Sequence, residues 1–222
     1  MNEDEKERLR GLLLHGNLDE TDEAMSRLLD IAKAEELDSG DLVASLEAME
    51  RLGEPGQERM FEPFVLFASR FPEVSVPVLT ECLRRSPLSW TGRLSAAVIH
   101  EVLQNVPGGR AHVDREAVVS ALSDAVYAAA RGSVDSAQEA ITTLHDWATR
   151  EPLPEIGPAI VRLLMRAADK ESPKEDVLRL AREILELNGQ VALQSQVRER
   201  AQSLPPDHPL RRAIHPSSLP ER

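Results

Sequence analysis

The chain has 222 residues, a formal net charge of −12, 41% hydrophobic residues and only 3% aromatic residues. This length can form one large or two small domains with a sizeable core, and a core poor in aromatic side chains suits close packing of helices. The single cysteine, Cys82, excludes an internal disulfide framework and a sulfur-rich metal site. No apolar run approaches the roughly 20 residues that span a bilayer, and residues 1–5 lack the features of a signal peptide. We therefore expect a cytoplasmic protein.

The negative charge is concentrated at the N-terminal end of the chain. Residues 1–58 contain 17 acidic and 6 basic side chains, a net charge of −11, whereas the rest of the chain is close to neutral. Such a field attracts basic protein surfaces and repels phosphate backbones. We therefore expect a protein partner rather than a nucleic acid for this region. An acidic cap that only improves solubility is the alternative.

The first part of the chain shows three helical patterns, in which apolar residues recur at i, i+3, i+4 and i+7. One covers residues 3–14. A second, with Met25 on its apolar stripe, would be capped by Thr21 or Asp22. A third follows Ser39 or Asp41 and ends at the Gly-Glu-Pro-Gly turn of residues 53–56.

Proline and capping residues mark the predicted helix starts in the middle of the chain, because a first-turn amide lacks an intrahelical acceptor anyway. We expect Pro63 in the first turn of one helix and Ser75 at the start of the next. Ser86-Pro87 would begin another helix, and Asp114 would cap the one after that. The sequence therefore predicts helices that begin close to these positions.

The clearest helical stretch is residues 135–187, where three apolar stripes are separated by proline-containing turns. A last helix near residues 190–203 precedes a proline-rich tail, residues 204–222, which we expect to be extended or disordered. No hairpin signal and no period-two alternation interrupt this pattern. The sequence therefore predicts an all-α fold of roughly ten or eleven helices.

The helical pattern also repeats along the chain. A shift of 95 positions carries Leu42 onto Ala137 and Pro63 onto Pro158, and further landmarks are related by steps of 53 and 43. Helix pairs with such steps, and with a proline near the start of the second helix, resemble HEAT or armadillo-type α-solenoids. The resemblance covers about residues 39–203, and a non-repetitive helical bundle is the alternative.

The resemblance implies a right-handed α-α superhelix and a curved surface that binds another macromolecule. In this reading residues 1–203 form a single repeat domain, with acidic cap helices at residues 1–38 and helix pairs at residues 39–203. One helix pair cannot cover its own apolar face, so stacking in series is the natural solution.

The chain carries no recognisable catalytic or metal-binding motif. His100-Glu101 begins like a zinc-protease motif, but Gln104 stands where the second histidine belongs. His145 is followed by an aspartate, but adjacent helical residues point in different directions. Cys82 lies on an apolar stripe and is expected to be a buried structural thiol. We therefore predict no cofactor, no metal ion and no catalytic residue.

These observations favour a non-enzymatic α-solenoid that binds another protein. A concrete version is an immunity or antitoxin protein of bacterial origin, whose acidic face masks the basic surface of a toxin or nuclease. The acidic N-terminal residues are the candidates for this contact: Asp19, Glu20, Asp22, Glu23, Glu35, Glu36 and Asp38. The first four lack the fixed glycine and bidentate glutamate of a calcium loop.

Two other functions remain open from the sequence. The first is a scaffold or adaptor that binds a peptide in the solenoid groove, with the acidic segment serving only solubility. The second is a HEAT-like nucleic-acid-binding or DNA-repair protein, for which basic residues at helical spacing would form a stripe. Its candidate residues are Arg162, Arg166, Arg179 and Arg182.

Overall fold

The structure, a computed structural model, describes residues 3–31, 39–105, 113–169 and 173–214, and it contains no strand within these ranges. The predicted all-α fold is confirmed. Twelve α-helices occupy the described residues: α1 (Glu3–His15), α2 (Leu18–Ile31), α3 (Ser39–Leu52), α4 (Glu54–Arg70), α5 (Pro72–Arg85), α6 (Trp90–Asn105), α7 (Arg115–Arg131), α8 (Gln138–Ala148), α9 (Gly157–Ala167), α10 (Glu175–Leu187), α11 (Val191–Gln202) and α12 (Pro209–Ile214). Short 3-10 helices, Val134–Ala137 and Pro154–Ile156, precede α8 and α9. None of the helices in the described ranges is long and apolar enough to cross a bilayer.

The chain divides into two compact units, and the single repeat domain over residues 1–203 stays a prediction. Unit 1 comprises Met1–Arg85 and Trp90–Val118, and unit 2 comprises Ser86–Ser89 and Val119–Arg222. The boundary therefore falls within α7, which no turn signal in the sequence marks.

Each unit is built from helices that pack on their second neighbours along the chain. In unit 1, α1 packs on α3, α2 on α4, α3 on α5 and α4 on α6. In unit 2, α8 packs on α10, α9 on α11 and α10 on α12. Each unit also contains packed consecutive helices, such as α5 with α6 and α10 with α9. The buried faces consist mainly of Leu, Ala, Val and Ile, as the composition predicted.

The prolines at residues 63 and 77 lie inside helices, so the predicted starts of α4 and α5 were wrong. α4 begins at Glu54, and Pro55 is the proline of its first turn. α5 begins at Pro72, and the Ser75 hydroxyl donates a hydrogen bond of 2.7 Å to the carbonyl of Ala68. Burial of the apolar faces of both helices outweighs the interior-proline penalty of about 3 kcal/mol.

The difference at Pro63 also affects the proposed repeat. Pro158 lies in the first turn of α9, as expected, but Pro63 lies in the interior of α4. The two prolines therefore do not share a turn geometry. The predicted start of the following helix was also wrong. α6 begins at Trp90 and not at Ser86-Pro87.

The C-terminal region contains a helix that the sequence did not predict. The sequence predicted roughly ten or eleven helices, all before residue 204, but α12 lies within the tail that we expected to be extended or disordered. α12 packs against α10 and α11, and its Leu210, Ala213 and Ile214 are buried. The prediction for this part of the tail is therefore wrong. Residues 215–222 lie outside the described residues.

Candidate protein-binding surface

The start of α2 is fixed by a reciprocal hydrogen-bond pair between Asn17 and Glu20. The backbone amides of Asp19 and Glu20 donate to Asn17 Oδ1 at 3.0 and 3.1 Å. The Glu20 carboxylate accepts a hydrogen bond of 2.9 Å from the backbone amide of Asn17. This arrangement is a capping box with asparagine as the cap. Asn17 is therefore the cap, not Thr21 or Asp22, and Glu20 has a structural role.

Thr21 is buried for a different reason. Its hydroxyl lies 2.7 Å from the carbonyl of Asn17, one helical turn earlier, and it accepts a hydrogen bond from Arg51 of α3. Arg51 also donates to the carbonyl of Leu13 near the end of α1. Thr21 thus connects the beginning of α2 to α3, and this contact could not be seen from local sequence.

Asp19 and Asp22 are both paired with Arg59 of α4. Arg59 Nη1 lies 2.7 Å from Asp19 Oδ1, and Arg59 Nε lies 2.9 Å from Asp22 Oδ2. The hydrogen bond to Asp19 and the charge of Asp22 raise the pKa of the Arg59 guanidinium above its ordinary value. Arg59 is the first residue beyond the acidic stretch 1–58, so the linear charge count overstates the negative charge at this surface.

Glu23 is the predicted acidic residue of α2 whose exposed carboxylate has neither an ion pair nor a hydrogen bond among the described residues. It lines an open groove of about 250 Å³ between α1 and α2. The other lining residues are Arg8, Leu9, Leu12, Ser26 and Arg27. The remaining candidates, Glu35, Glu36 and Asp38, lie outside the described residues.

α4 carries an acidic surface that the sequence analysis missed. Glu54, Glu58 and Glu62 are spaced four residues apart and are all exposed, and we call them the α4 acidic stripe. Within the described part of the chain, no ion pair involves them. One turn further along the same face, Leu66 is 56% exposed.

The signal for this stripe was present in the sequence as the spacing i, i+4, i+8. It was hidden because Pro63 was assigned to a first turn, which left Glu54 and Glu58 in a loop. Arg59 follows Glu58 directly, so its pairs with Asp19 and Asp22 place the start of α2 beside the first half of α4. The acidic residues of α2 and α4 therefore lie on two helices that pack against each other, with the Arg59 guanidinium paired to the α2 carboxylates.

Two of the four arginines considered for nucleic-acid binding, Arg179 and Arg182, are engaged in ion pairs, so the four do not form a continuous basic stripe. Arg179 and Arg182 of α10 lie 3.3 and 3.5 Å from Glu183 Oε1, and Arg182 also donates to the carbonyl of Ala213. Glu183 Oε2 in turn lies 2.9 Å from Nε2 of His145 on α8. Arg179 therefore pairs within α10, Arg182 links α10 to α12, and His145 contacts Glu183 of α10.

The remaining residues considered for chemistry have ordinary surroundings. Cys82 is half-buried rather than buried, and desolvation raises the pKa of its thiol, which disfavours the reactive thiolate. Across the residues that the structure describes, no group of three or more His, Cys, Asp or Glu side chains has the arrangement of a metal site. The arrangement found on α2 and α4 is suited to electrostatic recognition.

Comparison with known proteins gave no match: no family model, no curated protein and no solved structure is significantly similar to this chain.

Proposed function

We propose that this protein is a non-enzymatic helical-repeat protein that binds a basic partner protein through the acidic surface of unit 1. The observation that carries the proposal is the exposed α4 acidic stripe followed by Leu66. Unpaired carboxylates at one-turn spacing complement Lys or Arg side chains on a partner. An exposed leucine beside them adds apolar area that a partner can bury.

The packing within each unit supports a repeat architecture. Helices that contact their second neighbours form two layers, and this is how stacked helix pairs cover their apolar faces. A HEAT-like right-handed superhelix over residues 39–203 is the form of this architecture that we propose. Repeat proteins of this kind present extended surfaces to macromolecular partners.

The structure also sharpens the choice of residues. Asp19 and Asp22 already have an intramolecular cation in Arg59, and Glu20 caps its own helix. We therefore assign the main contact to Glu54, Glu58 and Glu62, with Glu23 and Asp19 at its edge. An immunity or antitoxin protein that masks the basic cleft of a toxin is the specific version that we propose, and Glu35, Glu36 and Asp38 stay candidates for it.

Charge-neutralising variants test this function. Tagged wild-type protein is used to capture partners from cells of the source organism, and the products of neighbouring genes are tested first. We expect a captured basic protein to be lost from the triple variant Glu54→Gln, Glu58→Gln, Glu62→Gln. Glu73→Gln, Glu116→Gln, Glu199→Gln is the matched control, because it removes three exposed carboxylates from other helices.

The control separates a specific surface from net charge alone. Both triple variants change the net charge by the same amount, so a general electrostatic attraction would be weakened equally in both. Equal loss of the partner would therefore contradict the assignment to α4. Capture of an acidic or neutral protein, unaffected by either variant, would contradict the proposed function itself.

A further inference from the structure

Unit 2 carries a second charged surface, of opposite sign to the one on unit 1. Its centre is the contact between Arg162 of α9 and Tyr127 of α7, in which the guanidinium carbon lies 5.6 Å from the ring centroid. This separation is within the range of a cation–π interaction. A guanidinium that stacks on a ring keeps its in-plane N–H donors available for a carboxylate.

Two further arginines lie within one helical turn of this contact. Arg131 follows Tyr127 by four residues on α7, and Arg166 follows Arg162 by four residues on α9. Such spacing places side chains on one face of a helix. All three arginines are exposed, and within the described residues none of them forms an ion pair. We call Tyr127, Arg131, Arg162 and Arg166 the arginine–tyrosine surface.

These arginines differ from several arginines of unit 2 that bind carboxylates. Arg179 and Arg182 bind Glu183, Arg200 binds Asp169 at 3.0 Å, and Arg212 binds Glu175 at 3.1 Å. Arg198 and Arg211 form no ion pair with the described residues, but they donate hydrogen bonds to Gln194 and to the Leu204 carbonyl. Arg131, Arg162 and Arg166 have no such acceptor among the described residues, and they lie on the two helices that meet at the one tyrosine of the chain. Arginine and tyrosine are the residues most enriched where protein interfaces gain their affinity.

An apolar side chain lies beside the same helix. Leu88 is 38% exposed, and its Cδ1 lies close to Gly132, the residue after Arg131. A Cβ atom built on Gly132 would lie 3.4 Å from Leu88 Cδ1. The surface therefore combines cationic, aromatic and aliphatic groups.

We propose that the arginine–tyrosine surface docks an acidic amphipathic helix of another protein. Carboxylates at i and i+4 on such a helix match guanidinium groups that are themselves one turn apart, and bidentate pairing favours arginine over lysine. An apolar residue of the same helix would contact Leu88. This surface is independent of the acidic one on unit 1, so a protein with both could bridge a basic and an acidic partner.

A nucleic acid is the competing anionic ligand, and two features disfavour it. Asp124 is exposed three residues before Tyr127 on α7, so a carboxylate interrupts any track for phosphates on this helix. The whole chain carries a net charge of −12, which repels a long polyanion. Both penalties are smaller for a short acidic helix, because it carries fewer and more widely spaced negative charges than a nucleic acid.

The test uses fluorescence anisotropy with three labelled probes and the full-length protein. The first probe is a helical peptide with glutamates at i, i+4 and i+8 and one leucine. The second probe is the same peptide with glutamine at the three glutamate positions. The third probe is single-stranded oligothymidylate. In buffer of about 50 mM salt, where screening is weak, we expect only the glutamate peptide to bind. Failure of that peptide to bind, or tighter binding of the oligothymidylate, would overturn the proposal.

Matched variants locate the site. Arg162→Gln with Arg166→Gln should weaken binding of the glutamate peptide at least tenfold. Arg84→Gln with Arg85→Gln removes the same charge from exposed positions of unit 1 and should leave the affinity within twofold of wild type. Tyr127→Leu, which keeps every charge, should weaken binding several-fold. Equal weakening by the two arginine pairs would contradict the proposed site, whereas the basic-partner function of unit 1 would be unaffected.

Discussion

Arg59 and Asp19 are 40 positions apart in the chain, and Arg59 Nη1 lies 2.7 Å from Asp19 Oδ1. With Asp22 at 2.9 Å, the pair joins α2 to α4 and reduces the negative charge that α2 presents. The acidic character of unit 1 therefore depends on which carboxylates find intramolecular partners.

Replacing Arg59 should change the surface charge of unit 1 more than it changes the stability of the protein. In Arg59→Gln the carboxylates of Asp19 and Asp22 lose their common partner, and both side chains then repel each other. We expect a small decrease in the urea midpoint of unfolding, because exposed ion pairs contribute little, and this decrease should vanish at about 1 M salt. Arg131→Gln is the control, because it removes an exposed arginine that forms no ion pair with any residue in the described ranges. A large decrease that persists at high salt would contradict the exposed geometry.

The capping box at the start of α2 should make a measurable contribution to stability. Asn17→Ala removes the acceptor for two backbone amides and should lower the free energy of unfolding by about 1 kcal/mol, whereas Asn17→Asp should retain most of it. Glu20→Ala should also destabilise the protein, because it removes the reciprocal bond to the Asn17 amide. Glu23→Ala, on the exposed side of the same helix, should have an effect within about 0.5 kcal/mol. Urea denaturation measures all four, and equal effects of Glu20→Ala and Glu23→Ala would contradict the capping role.

Glu81 should make the protein sensitive to acid. Hydrogen bonds from Arg85 and Arg84 lower the pKa of Glu81 in the folded protein. The folded state therefore binds this proton less tightly than the unfolded chain. The stabilising contribution is present above the ordinary glutamate pKa of about 4.3 and is lost as the pH falls through the lowered folded value.

The variant Glu81→Gln tests this linkage. It should be less stable than wild type near neutral pH, and the difference should shrink as the solution is acidified, because wild type then loses the same charge. The measurement is the urea midpoint as a function of pH. Glu58→Gln is the control, because Glu58 is exposed and has no ion pair within the part of the chain that the structure describes. A difference that stays constant as the pH falls through and well below the ordinary glutamate pKa of about 4.3 would contradict the lowered pKa of Glu81.

Asn188 should be a structural anchor of unit 2. Its Oδ1 accepts a hydrogen bond of 2.6 Å from the backbone amide of Leu153, and its Nδ2 donates to the Leu153 carbonyl at 3.0 Å. Leu153 is buried, so Asn188→Ala leaves backbone groups of a buried residue without partners, and we expect a loss of about 1–3 kcal/mol. Asn188→Asp keeps the acceptor and loses the donor, and it should be intermediate. Calorimetry or urea denaturation checks the order, and an aspartate variant as unstable as the alanine one would contradict the importance of the Leu153 amide bond.

Local sequence patterns predicted the helices well and their contacts poorly. Apolar spacing identified the stripes of α8, α9 and α10, and Asp114 caps α7 as predicted, since the amide of Ala117 donates to its Oδ1 at 3.1 Å. These features depend on residues within a few positions of one another. The interior location of Pro63 and the helix at Pro209–Ile214 depend on packing against distant helices, which overrides the local preference of proline.

Only the negative charge of the candidate surface could be predicted from the sequence, not the residues that form it. Residue counts revealed an acidic N-terminal region, but nothing in residues 1–58 shows that Arg59 binds Asp19 and Asp22, or that Glu20 is committed to Asn17. The α4 acidic stripe could have been found from its spacing. An incorrect helix start concealed it, so a single misplaced boundary changed the set of candidate residues.

Photo-crosslinking at Leu66 tests the central claim most directly. A photoreactive amino acid replaces Leu66, beside the α4 acidic stripe, and in a separate variant it replaces Val191, which is 66% exposed on α11 of unit 2. In cells of the source organism, we predict a crosslink from position 66 to a basic protein. This crosslink should be lost when Glu54, Glu58 and Glu62 are changed to glutamine. Position 191 should give no such crosslink. Absence of a crosslink at position 66, or the same product from both positions, would contradict the account.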